Sequence, residues 1–182
     1  MQDIILGIDV STSKIGLTIM DYESNLIKCD VIKLDPKQSL EDRCIFFEDY
    51  ISRISSLDYI NNNISYYIKE VFIEAPFMMF SGGKTTAMTM SKLQRFNGMV
   101  SYMIRRSLGR TPLLIAANKA RGLVGLKIKR GEKAKLKVVE WAQSEYPKDF
   151  IVEYTRYGNP RPGTDDKADS IIIARAGLLI DK

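Results

Sequence analysis

Ile4-Ile5-Leu6-Gly7-Ile8-Asp9-Val10 is an almost unbroken apolar run, and Ser11-Thr12-Ser13-Lys14 separates it from a second, Ile15-Gly16-Leu17-Thr18-Ile19-Met20. A β-branched run of this kind suits a strand covered on both faces. A single carboxylate, Asp9, interrupts it. An ionised aspartate among such neighbours is costly to bury unless a cation or hydrogen-bond donors meet it. Two readings are open at this point: Asp9 faces a metal ion, or it opens the Ser/Thr-rich turn as an Asx cap.

The chain has 182 residues, enough for one domain (1–182) with a sizeable core. No apolar run reaches membrane-spanning length and no signal-peptide pattern precedes the first strand, so the expectation is a cytoplasmic protein with no membrane partner. Cys29 and Cys44 are too few for a disulfide framework and lack metal-ligand spacing. Histidine is absent altogether, which excludes a Ser-His-Asp triad, a Cys-His pair and a histidine-containing zinc site. Hydrolytic chemistry here must use carboxylates, lysines or metal-bound water.

The net charge of +5 conceals an asymmetry. Arg105 to Lys137 holds 11 Lys/Arg and one acid, Glu132, for a local net of +10; the remainder has 16 basic and 21 acidic residues, a net of −5. So concentrated a basic block reads either as a footprint for a polyanion or as a solvated charged face.

Strands are expected over 3–10, 14–21 and 26–34, joined by short links into an antiparallel meander. Ser39 starts a helix with Asp42 in a capping-box-like position, and Ile45, Phe46, Tyr50, Ile51, Ile54 and Leu57 recur at helical spacing. The run Asn61-Asn62-Asn63 ends it. Val71-Phe72-Ile73-Glu74 is a fourth strand, stopped by Ala75-Pro76 and again carrying one carboxylate. Ser81-Gly82-Gly83 leads into a long helix over 84–107. Its stripe of Met88, Leu93, Phe96, Val100 and Ile104, interleaved with Ala87, Ser91, Gly98 and Ser101, reads as core or in part as a close helix–helix contact. A fifth strand at 112–116, a short helix at 117–124, a basic loop from Leu126 to Gly131, a helix at 133–146 and an extended piece at 150–154 follow. The last helix starts at Thr164 or Asp165 and runs to about Leu179.

That helix opens with Asp165-Asp166-Lys167-Ala168-Asp169. Asp166 and Asp169 are three apart and project from one face, while Asp165 is an ordinary partner for the helix dipole. If the first and fourth strands are adjacent, Asp9 and Glu74 face one cleft and the helix brings Asp166 and Asp169 to it. Four oxygen donors without histidine suit Mg²⁺ or Mn²⁺. Two such ions roughly 4 Å apart are the usual device for in-line phosphodiester displacement. The basic block, with Lys119, Arg121, Lys127, Lys129, Arg130, Lys133, Lys135 and Lys137, would then hold a nucleic-acid backbone.

With these residues in view, the chain resembles the RuvC family of Holliday junction resolvases in the RNase H-like superfamily, particularly its phage and large-DNA-virus branch. The matching stretches, in family order, are Gly7-Ile8-Asp9-Val10-Ser11-Thr12-Ser13, Phe72-Ile73-Glu74-Ala75-Pro76-Phe77, Lys135-Leu136-Lys137-Val138-Val139-Glu140-Trp141 and Asp166-Lys167-Ala168-Asp169-Ser170. The resemblance implies an α/β fold with an RNase H-like mixed five-stranded sheet, a three-strand antiparallel meander plus parallel strands, flanked by helices. It implies metal binding by Asp9, Glu74, Asp166 and Asp169, with two Mg²⁺ per site and Mn²⁺ substituting. Phe77 falls where the family has an aromatic that stacks on bases, although an ordinary core phenylalanine fits equally. Lys135 and Lys119 fall on the family's lysines, which grip a phosphate or stabilise charge in the transition state. A homodimer, with helix 84–107 at its interface, would cut a four-way DNA junction in the cytoplasm of a bacterial or virus-infected cell. Two other readings stay open, a less selective RNase H-like or flap nuclease and a non-catalytic branched-DNA binder; an actin-like or sugar-kinase ATPase, whose phosphate loop the first motif also resembles, would need a second lobe for which 182 residues leave no room.

Overall fold

In a computed structural model of the chain, residues 2–56, 66–76 and 87–180 are described. Five strands form one sheet: β1 (Gln2–Val10), β2 (Lys14–Asp21), β3 (Leu26–Lys33), β4 (Tyr66–Glu74) and β5 (Leu113–Ile115), in the order β3-β2-β1-β4-β5. The first three are antiparallel, whereas β4 runs parallel to both β1 and β5. Five helices complete the described chain: α1 (Leu40–Ser56), α2 (Ala87–Leu108), α3 (Ala117–Leu123), α4 (Ala134–Glu145) and α5 (Thr164–Gly177). The expected mixed sheet with flanking helices is therefore present.

Strand periodicity divides β1 cleanly. Ile4, Leu6, Ile8 and Val10 join Ile15, Leu17 and Ile19 of β2 in a core with Cys44, Phe47 and Ile51 of α1 and Phe96, Val100 and Ile104 of α2. On the opposite face Ile5 and Phe72 pack with Val138 and Val139 of α4 and with Ile171, Ile172 and Ala174 of α5. Because successive side chains alternate, Gly7 and Asp9 share the α5 face with Ile5. A bulge keeps β4 in phase with this arrangement. Ile4 pairs with Ile68 but Ile5 pairs with Glu70, leaving Lys69 as the extra residue. The insertion switches the parity, so Ile68 faces the same core as Val71 and Ile73.

The structure revises several details. β4 begins at Tyr66, five residues before the expected Val71. Of the expected stripe of α1, Ile51 and Ile54 are buried and Tyr50 packs against them, but Ile45 and Phe46 are about half exposed and Cys44 and Phe47 take the inward positions. Met88 is 82% exposed, and Met90 takes the buried position in its turn. Of the extended piece at 150–154, only a bridge between Tyr154 and Pro160 forms. Leu57, the Asn61–Asn63 run, Phe77, the Ser81–Gly83 link and residues 84–86 lie outside the described residues. Among those described, no helix is long and apolar enough to cross a membrane.

Candidate active site

Asp9 and Glu74 each follow one member of a paired couple, Ile8 and Ile73, at the C-terminal ends of adjacent parallel strands. They leave the sheet side by side on the α5 face. The end of β4 is fixed by Asn97 of α2, a buried residue whose Nδ2 donates to the Glu74 carbonyl at 3.1 Å. The Ala75 amide donates to the Ile115 carbonyl at 2.9 Å. The β1–β2 turn is closed by Ser11, whose amide and Oγ both donate to the Lys14 carbonyl at 2.9 Å and whose Oγ accepts from the Lys14 amide at 3.1 Å.

Two glycines let α5 lie directly on this surface. A Cβ at Gly7 would come within 2.4 Å of the Ser170 carbonyl oxygen, and one at Gly16 within 2.1 Å of the Asp166 carbonyl oxygen. Gly7 pairs with Thr18, and Gly16 with Asp9. Buried Thr18 then meets Ser170 hydroxyl to hydroxyl at 2.8 Å, fixing the helix along its axis. At its start, Gly163 turns the chain into α5 with φ 102°, a left-handed conformation that suits glycine. The first turn of α5, with its carboxylates, is thus held over the ends of β1 and β2.

The carboxylates gathered here perturb one another. Burial raises the Asp9 carboxyl well above its ordinary value, and the charges of Glu74, Asp169, Asp166 and Asp165 push it further. Glu74 is pushed up to about 7 by burial and by Asp169, with Arg121 opposing. Burial also raises Asp169, against the guanidinium of Arg121, whose Nη2 lies 3.4 Å from its Oδ1. Asp166 accepts from Lys14 Nζ at 3.2 Å. Asp165 is bonded to Lys135; burial works to raise it, but the lysine's hydrogen bond and charge hold it below the usual range.

Asp9, Glu74, Asp166 and Asp169 therefore share one field, together with Asp165. They do not yet share a coordination sphere: among the described residues no three acidic or cysteine side chains converge to ligate a single ion. Lys14, Arg121 and Lys135 supply the positive charge instead. Chemically the donor set fits a hard divalent cation, since it is all carboxylate and its members repel one another.

The basic block divides. Arg121 is turned onto Asp169 and Lys135 onto Asp165, so both belong to the acidic centre. Lys137 pairs with Glu140 at 2.8 Å. Lys119, Lys127, Lys129, Arg130 and Lys133 are exposed on α3 and the segment leading into α4. Phe77 lies outside the described residues. Sequence reasoning missed Lys14, Gly7, Gly16, the Thr18–Ser170 contact and Asn97, and it grouped Arg121 by charge alone. Glycines at two positions inside otherwise bulky neighbouring strands were the available signal for a close helix.

No family model and no curated protein matches the chain. Solved structures do. Thermus thermophilus RuvC in complex with a Holliday junction substrate matches with a TM-score of 0.63 and 16% identity, over 95% of this chain and 90% of that one. A second Thermus thermophilus RuvC structure matches with a TM-score of 0.62 and 17% identity, over 95% and 92% of the two chains. The chain has the fold of RuvC, an RNase H-like fold, with half-buried carboxylates where β1, β4 and α5 meet.

Proposed function

We propose that this protein is a structure-selective endonuclease that resolves four-way DNA junctions by metal-dependent phosphodiester hydrolysis, acting as a homodimer. The observation that carries the reading is the crowding of Asp9, Glu74 and Asp169 from three elements of a RuvC-like fold, where Glu74 and Asp169 raise Asp9 and Asp169 raises Glu74. Buried carboxylates that raise one another's pKa are unfavourable for folding and suited to binding cations. Asp9, Glu74, Asp166 and Asp169 would hold two Mg²⁺ ions, with Mn²⁺ able to substitute. Such ions supply water activation and neutralise charge on the leaving oxygen.

The protein's own groups do the rest. Lys135 lies beside the acids on a flexible stem, placed to release Asp165 and meet a non-bridging phosphate oxygen as charge builds. Lys119, Lys127, Lys129, Arg130 and Lys133 track the backbone on the β5 side, a contact that salt weakens. Phe77, three residues past strand β4 and its carboxylate, is the proposed stacking residue at the crossover. Two sites per dimer allow symmetric cuts in opposing strands, with α2 as the proposed contact and the cytoplasm as the proposed location.

The test is incubation with a labelled four-way junction, a matched flap, a duplex and an RNA–DNA hybrid, with and without Mg²⁺. Paired, Mg²⁺-dependent cuts confined to the junction are expected. Equal cutting of flap and junction would make it a less selective nuclease. Binding without cutting would leave only a branched-DNA binder.

A further inference from the structure

Three features around α3 converge on one cavity. Gly122 sits in the helix with ordinary φ, and a Cβ added there meets nothing within 4 Å. Glycine weakens a helix relative to alanine, yet neither a left-handed turn nor a close neighbour demands it here. Next to it, the Nε–H of Arg121 is buried without a hydrogen-bond partner among the described residues, while its Nη2 reaches Asp169. Buried donors are rarely left unpaired without a functional reason. Finally, Leu126 and Ile128 alternate with exposed Lys127 and Lys129, half-buried in an otherwise basic loop. With Asn118 and Ala134 these residues line a cavity of about 300 Å³ beside the acidic centre.

We infer that this cavity receives an unstacked nucleobase of the DNA strand whose phosphate lies at the carboxylates, a statement that rests on the nuclease reading above. The lining favours a base over a phosphate. Leu126, Ile128, Ala134 and the bare face of Gly122 are apolar and suit a ring face, whereas an anion would lose its hydration there. The exposed Asn118 amide offers a donor and an acceptor to the edge of the base, and Arg121 lines the same space beside it. Volume agrees, being at the small end of the range of about 300–1,000 Å³ for ligand pockets. Enzymes that work on nucleic acid commonly draw a base out of its stack and hold it this way. Arg121 would then touch both the base and Asp169, so that filling the cavity orients a carboxylate of the reaction centre.

The experiment measures binding of the chain, in EDTA, to four-way junctions carrying a single abasic residue at successive positions around the crossover. At one position, loss of the base should weaken binding about tenfold. Gly122→Met fills the cavity from a site with open space around it. It should keep the parent Tm or exceed it, weaken binding to the intact junction by a similar factor, and no longer distinguish intact from abasic DNA. Asn118→Ala, which replaces an exposed α3 residue by a better helix former, should reduce the same base dependence. Abasic insensitivity of the parent at every position overturns the inference, as does full base dependence retained in both variants. Parallel incubation with Mg²⁺ separates the two readings. Base dependence without cleavage removes the nuclease and keeps the pocket, while cleavage with unaltered base dependence in the variants does the reverse.

Discussion

Gly16 stands opposite Asp9 in the β1–β2 ladder, and the space a side chain would take there belongs to the Asp166 carbonyl, 2.1 Å from an added Cβ. One absent methyl group thus brings a strand carboxylate and a helix carboxylate into the same field. Gly16→Ala must lift the first turn of α5 or bend β2. Overpacking of this kind costs about 1–3 kcal/mol, which a urea midpoint will show. Cleavage should fall further than stability does, because the displaced turn carries Asp166 and Asp169. Wild-type cleavage by a folded Gly16→Ala protein would mean that this close approach does not set the site.

The field also predicts the pH dependence of the metal-free protein. Glu74 has a folded pKa of about 7 against an ordinary 4.5. Between those values the folded state keeps a proton that the unfolded chain has released, so stability falls as pH rises through the window and levels off above it. Glu74→Gln removes this loss. In EDTA the variant should match the parent at pH 4, below both values, and exceed it at pH 8, by on the order of 2 kcal/mol. Mg²⁺ should raise the parent's Tm at pH 8 and leave the variant's nearly unchanged. A variant less stable than the parent at pH 8 in EDTA would refute the claim that repulsion and burial dominate there.

Much of this was legible in the sequence, for identifiable reasons. A lone acid in an apolar strand stands out, as Asp9 and Glu74 do, and D-x-x-D at a helix start gives both carboxylates one direction. Strand parity was not legible, because β1 is apolar toward both cores and only the packing of the helices tells its two faces apart. Helix phase was equally hidden. In α1, Ile45 and Phe46 offer as good an apolar repeat as Cys44 and Phe47, and only contact with β1 and α2 selects the second pair. Lys14, Gly7 and Gly16 acquire their roles from α5; Lys14 lies 152 residues from its partner Asp166, beyond any local pattern.

The neighbouring aspartates in the first turn of α5 should behave differently. Asp165 is held ionised by Lys135, whereas Asp166 lies over Gly16 and Lys14. Asp166→Asn should abolish Mg²⁺-dependent cleavage with junction binding intact. Asp165→Asn should retain cleavage, since it removes only a tether on Lys135. Lys135→Ala should slow the chemical step by roughly 10–100-fold while changing binding little. Single-turnover rates alongside gel-shift affinities separate these effects. Loss of cleavage in Asp165→Asn together with retention in Asp166→Asn would exchange the assignments.

The proposed dimer can be tested on α2, whose outward side carries Met88, Ser91, Gly98 and Tyr102. Gly98 is exposed, and a Cβ there meets nothing within 4 Å, so the isolated chain does not require glycine at this point. Inside a helix it costs about 1 kcal/mol relative to alanine, and a close approach by a second helix would account for it. Gly98→Arg should fold as stably as the parent at low concentration but sediment as a monomer where the parent is a dimer. Its cuts should also become uncoupled, with nicked junctions accumulating before the second strand is broken. A Gly98→Arg protein that still sediments as a dimer would place the interface elsewhere. A parent that is monomeric at micromolar concentration yet makes paired cuts would remove the dimer altogether.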